Sequence, residues 1–385
     1  MVITSTVSPT LKMGLQFVGM WPDVPYSTIY WLSFMSSMLI IQCFQYLYIC
    51  DHFKMSELSN LVDSLPLTLD YSLTLLKYTS LWMYRRVFHE ILATIDNDWR
   101  ECINIHQHLH VMTIKANMSH SITNAMFSFN AIAAALYFLG DYVVRSVFLT
   151  ADYNDTLRQL PIKIQLPFDS QQSPMFEFLV VTLFLHIMLH TFTVSIFNGL
   201  IFTLVLHVSG QIDIICQEFR NISRNTFLCS LPSFGILVER HNRIILFSEN
   251  MEKLFSFIAL MQVVWNTLVI CCLGFIVIIS IHNEADTFVF VKTVFGYCVI
   301  FIDVFVICFA GEHLSFKSKL IANATYETLW YNMPSNAGKI IIFILMRSQK
   351  QLTITAGNMM DMSFESFTNI MKASVSYISV LNAIY

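Results

Sequence analysis

The apolar residues of this chain are concentrated in seven long runs that are separated by more polar segments. Each run reaches the roughly 20 residues that a helix needs to cross the hydrocarbon layer of a bilayer. The runs predict seven membrane-spanning helices, near residues 28–49, 63–84, 120–142, 176–208, 255–281, 287–310 and 364–385. We therefore expect an all-α membrane protein.

Two of these runs predict helices that extend beyond the bilayer. The run at 176–208 is too long for one crossing, so the fourth helix is expected to project into the cytoplasm. The fifth is expected to begin below the membrane, near Phe234. No cleavable signal peptide is expected, because residues 1–27 hold one Lys and no short apolar run ending in a small-residue cleavage site.

Composition supports a membrane protein. Apolar residues make up 55% of the 385 residues and charged residues only 12%. Soluble proteins carry about 25% charged residues, so this chain cannot present an ordinary aqueous surface. The net charge of −4 is too small to indicate a nucleic-acid partner.

The basic residues predict the orientation. With the amino terminus inside, the cytoplasmic segments 1–27, 85–119, 209–254 and 311–363 hold 15 Lys and Arg, and the outside segments hold 5. This bias predicts an amino terminus inside and a carboxy terminus outside. Of the four Asn-x-Ser/Thr sequons, at Asn117, Asn154, Asn221 and Asn323, only Asn154 then lies outside, so we expect glycosylation at Asn154 alone.

Cysteines and histidines give little indication of a metal site. The outside connections at 143–175 and 282–286 contain none of the nine cysteines, so no extracellular disulfide framework is expected. His106–His110 is interpreted as a solvated loop cluster. His186 and His190 lie on one helical face, where two imidazoles could share a metal, but polar packing or pocket lining is the simpler interpretation. We expect no metal, no cofactor and no enzymatic activity.

Polar residues interrupt two of the predicted spans. In span two, Asp70 and Lys77 are seven apart and share one side of the helix. Either they line a water-accessible pocket, or Lys77 snorkels while Asp70 lies at the outer interface. In span seven, Ala373, Tyr377, Val380 and Ile384 share one face of a helix that also carries many serines. A helix this polar favours protein or water as its neighbour over lipid.

An ordered series of short motifs occupies the last quarter of the chain and resembles the carboxy-terminal signature of insect odorant receptors. The weaker features of that family cover the remainder, including His207-Val208-Ser209-Gly210-Gln211. The series comprises Gly311-Glu312, Ser318, Ala324-Thr325-Tyr326-Glu327, Trp330-Tyr331, Met346-Arg347-Ser348-Gln349-Lys350, Leu352-Thr353-Ile354-Thr355-Ala356-Gly357, Ser363-Phe364-Glu365-Ser366-Phe367-Thr368 and Ser376-Tyr377-Ile378-Ser379-Val380-Leu381.

The resemblance implies a ligand-tuning subunit of a tetrameric, non-selective cation channel in the plasma membrane of olfactory sensory neurons. It implies assembly with a common coreceptor as a heterotetramer. Residues 1–310 would form six membrane helices with the ligand pocket, 311–363 a cytoplasmic anchor with Trp330 and Tyr331 at its interface, and 364–385 the pore helix. Ala373 and Tyr377 would line that pore, and Val380 and Ile384 would form its gate.

The resemblance also implies an apolar pocket for a small volatile ligand in the outer half of spans two, three, four and six. Burial and dispersion dominate binding in such pockets, and few hydrogen bonds fix the orientation. The matching positions are Asp70, Leu73, Thr74, Phe129, Ile132, Leu136, Leu185, Leu189, Lys292, Phe295 and Gly296.

Two other receptor classes are the alternatives. A G-protein-coupled receptor would have the opposite orientation, and this chain lacks Asp-Arg-Tyr after span three and Asn-Pro-x-x-Tyr in span seven. The related gustatory receptors end with Gln-Phe where this chain has Ala383-Ile384. The coreceptor itself is disfavoured, because its long extra segment between spans four and five is absent here.

Overall fold

The protein is described by a computed structural model that covers residues 5–53, 58–148, 160, 162–167, 172–224, 231–282 and 287–384. Within these residues the chain is almost entirely helical. The helices are α1 Pro9–Phe17, α2 Ser27–Asp51, α3 Leu58–Met83, α4 Arg85–Ile103, α5 His106–Phe148, α6 Met175–Arg224, α7 Leu231–His282, α8 Thr287–Tyr326, α9 Ser335–Ser348 and α10 Phe364–Ile384.

All seven predicted spans correspond to helices, which are α2, α3, α5, α6, α7, α8 and α10, so the all-α fold class is confirmed. Among the described residues, α2, α6, α7 and α8 are long and apolar enough to cross a membrane by length and composition alone. The helices α3, α5 and α10 have 26, 43 and 21 residues, so they are long enough, but their polar residues lower their hydropathy.

Three helices are much longer than a bilayer is thick. The helices α6, α7 and α8 have 50, 52 and 40 residues. At 1.5 Å per residue, α6 is about 75 Å long, against about 30 Å of hydrocarbon. As predicted for spans four and five, these helices continue well past any single crossing, and α7 begins at Leu231, close to the predicted start.

Helix α6 is the central element of the bundle. From Ser195 to Ile212 its side chains are buried all the way round, whereas an ordinary surface helix buries one face. It packs against α1, α5, α7 and α8. The hydrophobic core therefore lies around this middle section of α6.

Helices α1 and α4 were not predicted from the sequence. Helix α1 begins after Ser8, whose hydroxyl accepts a hydrogen bond from the backbone N–H of Leu11, and it carries Pro9 in its first turn. It buries Leu11 and Leu15 against the core. Helix α4 repeats apolar residues with helical spacing and buries Phe88, Ile91, Leu92, Ile95, Trp99 and Cys102. Both are amphipathic rather than uniformly apolar, so a search for membrane spans does not detect them.

The segment 311–363 contains the end of α8, a 3-10 turn at Trp330–Asn332, α9 and a small hairpin. In the hairpin, strand β1 (Thr355–Ala356) pairs antiparallel with β2 (Met360–Asp361). Gly357 and Asn358 both have a φ of 59° in the turn, a conformation that Gly and Asn adopt most readily. Helix α8 continues through residues 310 and 311 without interruption, so the predicted membrane segment and the predicted anchor segment share one helix.

Candidate functional site

A buried charge pair joins α3 to α8 in the apolar part of the bundle. The Lys77 Nζ atom lies 3.1 Å from Oδ2 of Asp303, and the two residues are 3% and 4% exposed. Charges in such surroundings are costly unless they are paired. Lys77 therefore neither snorkels nor faces a water-filled conduit, because its ammonium group is buried against a carboxylate.

Helix α7 completes the coordination of this carboxylate. Gln262 Nε2 donates to Asp303 Oδ2 at 2.8 Å and also to the Asp303 carbonyl at 2.8 Å, and Asn266 Nδ2 donates to Oδ2 at 3.1 Å. Asp303 thus joins α3, α7 and α8. Asp303 was not predicted from the sequence, although a lone Asp within an apolar run is the signal that could have indicated it.

A second polar cluster lies between α3 and α6. The Tyr71 hydroxyl is hydrogen-bonded to Nδ1 of His186 at 3.1 Å, and the Thr74 hydroxyl to Nε2 of His190 at 3.0 Å. Asp70 Oδ2 lies 3.7 Å from the same His190 nitrogen, and the Tyr71 ring stacks on His190 at 4.0 Å. The two histidines thus have hydroxyl and carboxylate partners, and the described residues contain no group of three or more metal-ligating side chains.

The predicted ligand positions fall into two groups. Leu73 and Thr74 are buried, and Asp70, Phe129, Leu189 and Gly296 are partly buried. Ile132, Leu136, Leu185 and Phe295 are exposed on the surface of the single chain, by 60%, 48%, 61% and 45%. Lys292 belongs to α8, but its side chain lies outside the described residues. The predicted ligand positions on α3 thus pack against α6, whereas several of those on α5, α6 and α8 lie on the outer surface of the single chain.

Asn198 on α6 is buried, but no hydrogen bond from its side chain to another helix is found among the described residues. Its side-chain oxygen is buried without a partner there. Asn130 makes the corresponding contact between α5 and α6, because its Nδ2 donates to the Ser195 hydroxyl at 2.8 Å.

Helix α10 is buried on one side only. Ser366, Ile370 and Ser374 recur every four residues and are buried against α7 and α8. The Cα of Gly274 on α7 is so close to Ile378 that a Cβ would lie 2.2 Å from its Cδ1 atom. On the predicted pore face, Ala373 is partly buried and Tyr377 and Val380 are exposed by 57% and 56%. Ile384 ends the helix, and its side chain lies outside the described residues.

An ionic network joins α4, the end of the fourth predicted span on α6, and the part of α7 that precedes the fifth predicted span. Arg243 donates to both Glu101 carboxylate oxygens, at 2.6 and 2.7 Å, which lowers the pKa of that carboxyl. Nε2 of His207 lies 3.1 Å from Oδ2 of Asp98. The Thr6 hydroxyl is bonded to the other His207 nitrogen at 3.1 Å, so the amino-terminal segment joins the same network.

The cluster His106–His110 is not a solvated loop, which corrects the prediction. It begins helix α5, and His108 is buried between Glu218 and Arg240. Burial, together with the nearby Arg240 charge, lowers the pKa of His108 to about 4. His108 is therefore neutral near pH 7, while His106 and His110 on either side are exposed.

The predicted anchor residues lie next to α9. Trp330 is partly buried and Tyr331 is exposed, and their rings meet edge to face at 6.0 Å. Helix α9 also exposes Phe343 and Met346. This surface is unusually apolar for a segment that lies outside the predicted spans. Asn154, the predicted glycosylation site, lies outside the described residues.

Comparisons with known proteins all identify the same family. A family model described as 7tm Odorant receptor matches residues 57–375. The chain is 26% identical to Odorant receptor 22c of Drosophila melanogaster over 275 residues, which is 68% of this chain and 64% of that protein. It is 28% identical to Odorant receptor 10 of Aedes albopictus over 149 residues, or 39% of each chain. These matches thus span less than two thirds of the relatives' own lengths.

Solved structures agree on the fold. The insect olfactory receptor OR5 from Machilis hrabei matches with a TM-score of 0.77 and 14% identity, over 97% of both chains. The structure of that receptor in complex with eugenol matches with a TM-score of 0.72 and 15% identity, also over 97% of both chains. At this level of identity, the similarity establishes the shared fold.

Proposed function

Because the chain belongs to the odorant receptor family, we propose that it is a ligand-tuning subunit of an odorant-gated, non-selective cation channel. The observation that carries the proposal is the family match over residues 57–375. The one-sided burial of α10 supports it, because a pore-lining helix must leave one face free for the permeation path. No catalytic chemistry is part of this function.

The proposed arrangement places the amino terminus in the cytoplasm and the carboxy terminus outside the cell. The Lys and Arg bias supports it. The long extensions of α6, α7 and α8 then form a cytoplasmic anchor with α9 and the hairpin. In this arrangement Asn154 is the glycosylated sequon, and the plasma membrane of olfactory sensory neurons is the site of action.

Subunit assembly is proposed through the anchor. Exposed Tyr331, Phe343 and Met346 supply an apolar surface of the kind that subunit interfaces bury. We propose a heterotetramer with the common coreceptor, in which Trp330 and Tyr331 lie near the contact. The membrane helices then remain free to move relative to one another.

The ligand is proposed to be a small volatile organic molecule. The matched receptor from Machilis hrabei has been solved in complex with eugenol. In this chain we place the ligand at the predicted positions on α3, α5, α6 and α8, beside the polar cluster of Tyr71, His186 and His190. To act as an agonist, the ligand must bind the open state more tightly than the closed state.

The function is tested by recording currents from cells that lack endogenous receptors. We expect odorant-evoked cation currents when the chain is expressed with the coreceptor, with a ligand preference that the coreceptor alone does not show. A ligand-evoked response that needs a G protein and no coreceptor would favour the G-protein-coupled alternative. Responses to tastants alone would favour the gustatory type.

The gate is proposed at Val380 and Ile384, on the free face of α10. We expect Val380→Ala or Ile384→Ala to produce current without ligand or to shift the reversal potential. The reason is that smaller apolar side chains widen the constriction, so water and ions enter it more readily. Val375→Ala is the matched control, since it makes the same change on another side of the same helix. Unchanged baseline current and unchanged reversal potential in both gate variants would rule the gate out.

A further inference from the structure

The joint between α3 and α4 carries two arginines next to a stack of tryptophans. The Arg85 guanidinium lies over the Trp82 ring, 4.6 Å from its centroid. Trp82 in turn stacks on Trp31 of α2, with centroids 4.7 Å apart and planes inclined by 16°. Arg86 follows directly on the chain, and both arginines are exposed. We name Trp31, Trp82, Arg85 and Arg86 the interfacial basic patch.

The two arginines have no ionic partner among the described residues. The ion pairs found there, with nitrogen and oxygen within 4.0 Å, include neither Arg85 nor Arg86. The charges of Asp23 and Arg85 both act on His89, so Asp23 lies in the same part of the molecule. Asp23 instead accepts a hydrogen bond from the Trp21 indole at 3.3 Å. Other basic residues of the protein, such as Arg240 and Arg243, are paired with carboxylates.

The patch lies where apolar exposed surface changes to basic exposed surface. Met83 and Tyr84, just before the arginines, are exposed, and so is Tyr30 beside Trp31. Exposed Trp and Tyr bordered by basic residues are typical of the level where a bilayer meets water. Helix α2 begins and helix α3 ends at this level, so both of these apolar helices meet the headgroup layer here.

A second cation–aromatic contact lies at the same end of the bundle. The Lys12 ammonium group of α1 is 5.1 Å from the Trp21 ring centroid. The Tyr78 hydroxyl on α3 donates to the Val18 carbonyl at 2.6 Å, which holds the link between α1 and α2 against α3. A further positive charge, that of Lys12, is thus present near the two arginines.

We propose that the interfacial basic patch binds the headgroup of an anionic phospholipid of the inner leaflet, of the phosphatidylserine class. The exposed guanidinium groups would donate hydrogen bonds to the phosphate, while Trp82 and Trp31 pack beside the glycerol and upper acyl region. Arginine suits this role because it stacks on an aromatic ring and still presents free N–H donors. Only the choice of leaflet rests on the orientation under the proposed function.

The test uses the purified full chain in detergent, where no leaflet exists and no current is needed. Binding of short-chain phosphatidylserine is measured by native mass spectrometry and by the shift in melting temperature, with phosphatidylcholine and inorganic phosphate in parallel. An exposed ion pair between one arginine and the phosphate contributes up to about fivefold to affinity. We therefore expect Arg85→Gln with Arg86→Gln to weaken phosphatidylserine binding by up to about 30-fold, and the two lysine substitutions to retain part of it.

Arg100→Gln is the matched control, because Arg100 is exposed at the opposite end of α4. We expect this variant to bind phosphatidylserine as the unchanged protein does. The proposal is wrong if the double variant keeps its affinity within twofold, if phosphatidylcholine binds equally well, or if Arg100→Gln loses as much. Displacement by millimolar inorganic phosphate would instead identify a site for a free anion. Should the double variant fail to fold, the single variants Arg85→Gln and Arg86→Gln apply the same criteria.

Discussion

Asp303→Asn is expected to lower the stability of the protein by about 3–5 kcal/mol, because it leaves the Lys77 ammonium group buried without its counter-charge. Lys77→Met should cost less, since the Asp303 carboxylate would keep its hydrogen bonds from Gln262 and Asn266. The double variant should lose less than the sum of the two single losses, because the two charges are coupled. Melting temperature in detergent and the amount of protein at the cell surface are the measurements.

Lys372→Met is the control for this cycle. Lys372 also lies in a predicted span, but it is exposed and has no ion pair among the described residues. We expect little change in melting temperature from it. Additive losses for Lys77→Met and Asp303→Asn, or losses no larger than that of Lys372→Met, would mean that the pair does not hold α3 to α8.

Gly311→Ala is expected to disturb the packing of α10, the proposed pore helix. A Cβ at Gly311 would lie 2.1 Å from the backbone oxygen of Met362, which is a part of the chain that cannot rotate away. Met362 lies just before α10, so relief of the clash must move α10 or bend α8. We expect a loss of about 3 kcal/mol, near the upper end of the usual cost of overpacking, together with loss of ligand-evoked current.

Gly296→Ala makes the same change on the same helix where space exists. A Cβ there would lie 3.8 Å from the nearest side-chain atom, on Leu273, which is an ordinary contact. We expect its melting temperature to stay at or above that of the unchanged protein, although its ligand preference can change. If Gly311→Ala melts like Gly296→Ala and conducts normally, the close contact with Met362 does not position α10.

The spans could be predicted from the sequence because a helix that crosses a membrane requires an apolar run of about 20 residues. It did not predict α1 and α4, because their burial follows from one helical face and not from overall hydropathy. The helical spacing of Phe88, Ile91 and Ile95 in α4 is the signal that could have predicted a helix with one buried face.

The polar contacts between helices were harder to predict than the fold. Asp70 and Lys77 share one side of α3, yet they turn to different helices, His190 of α6 and Asp303 of α8. Such partners depend on how helices far apart in the sequence are rotated against one another, which hydropathy does not encode. The same uncertainty in rotation separates buried Leu73 from exposed Leu185 within one predicted pocket.

Helix α8 also constrains how the length of this chain can vary. One unbroken helix carries Phe295, Asp303, the Gly311 contact with Met362 and the start of the proposed anchor. Each residue inserted into a helix turns everything beyond it by about 100°. One residue added or deleted between Asp303 and Gly311 would therefore leave both of these residues in place in the sequence. It would nevertheless rotate the Asp303 carboxylate and Gly311 by about 100° relative to each other, so they could not both keep their contacts. Substitutions on the outer surface of α8 should change stability little by comparison. We therefore expect receptors with this fold to vary in the residues of this helix and not in its length.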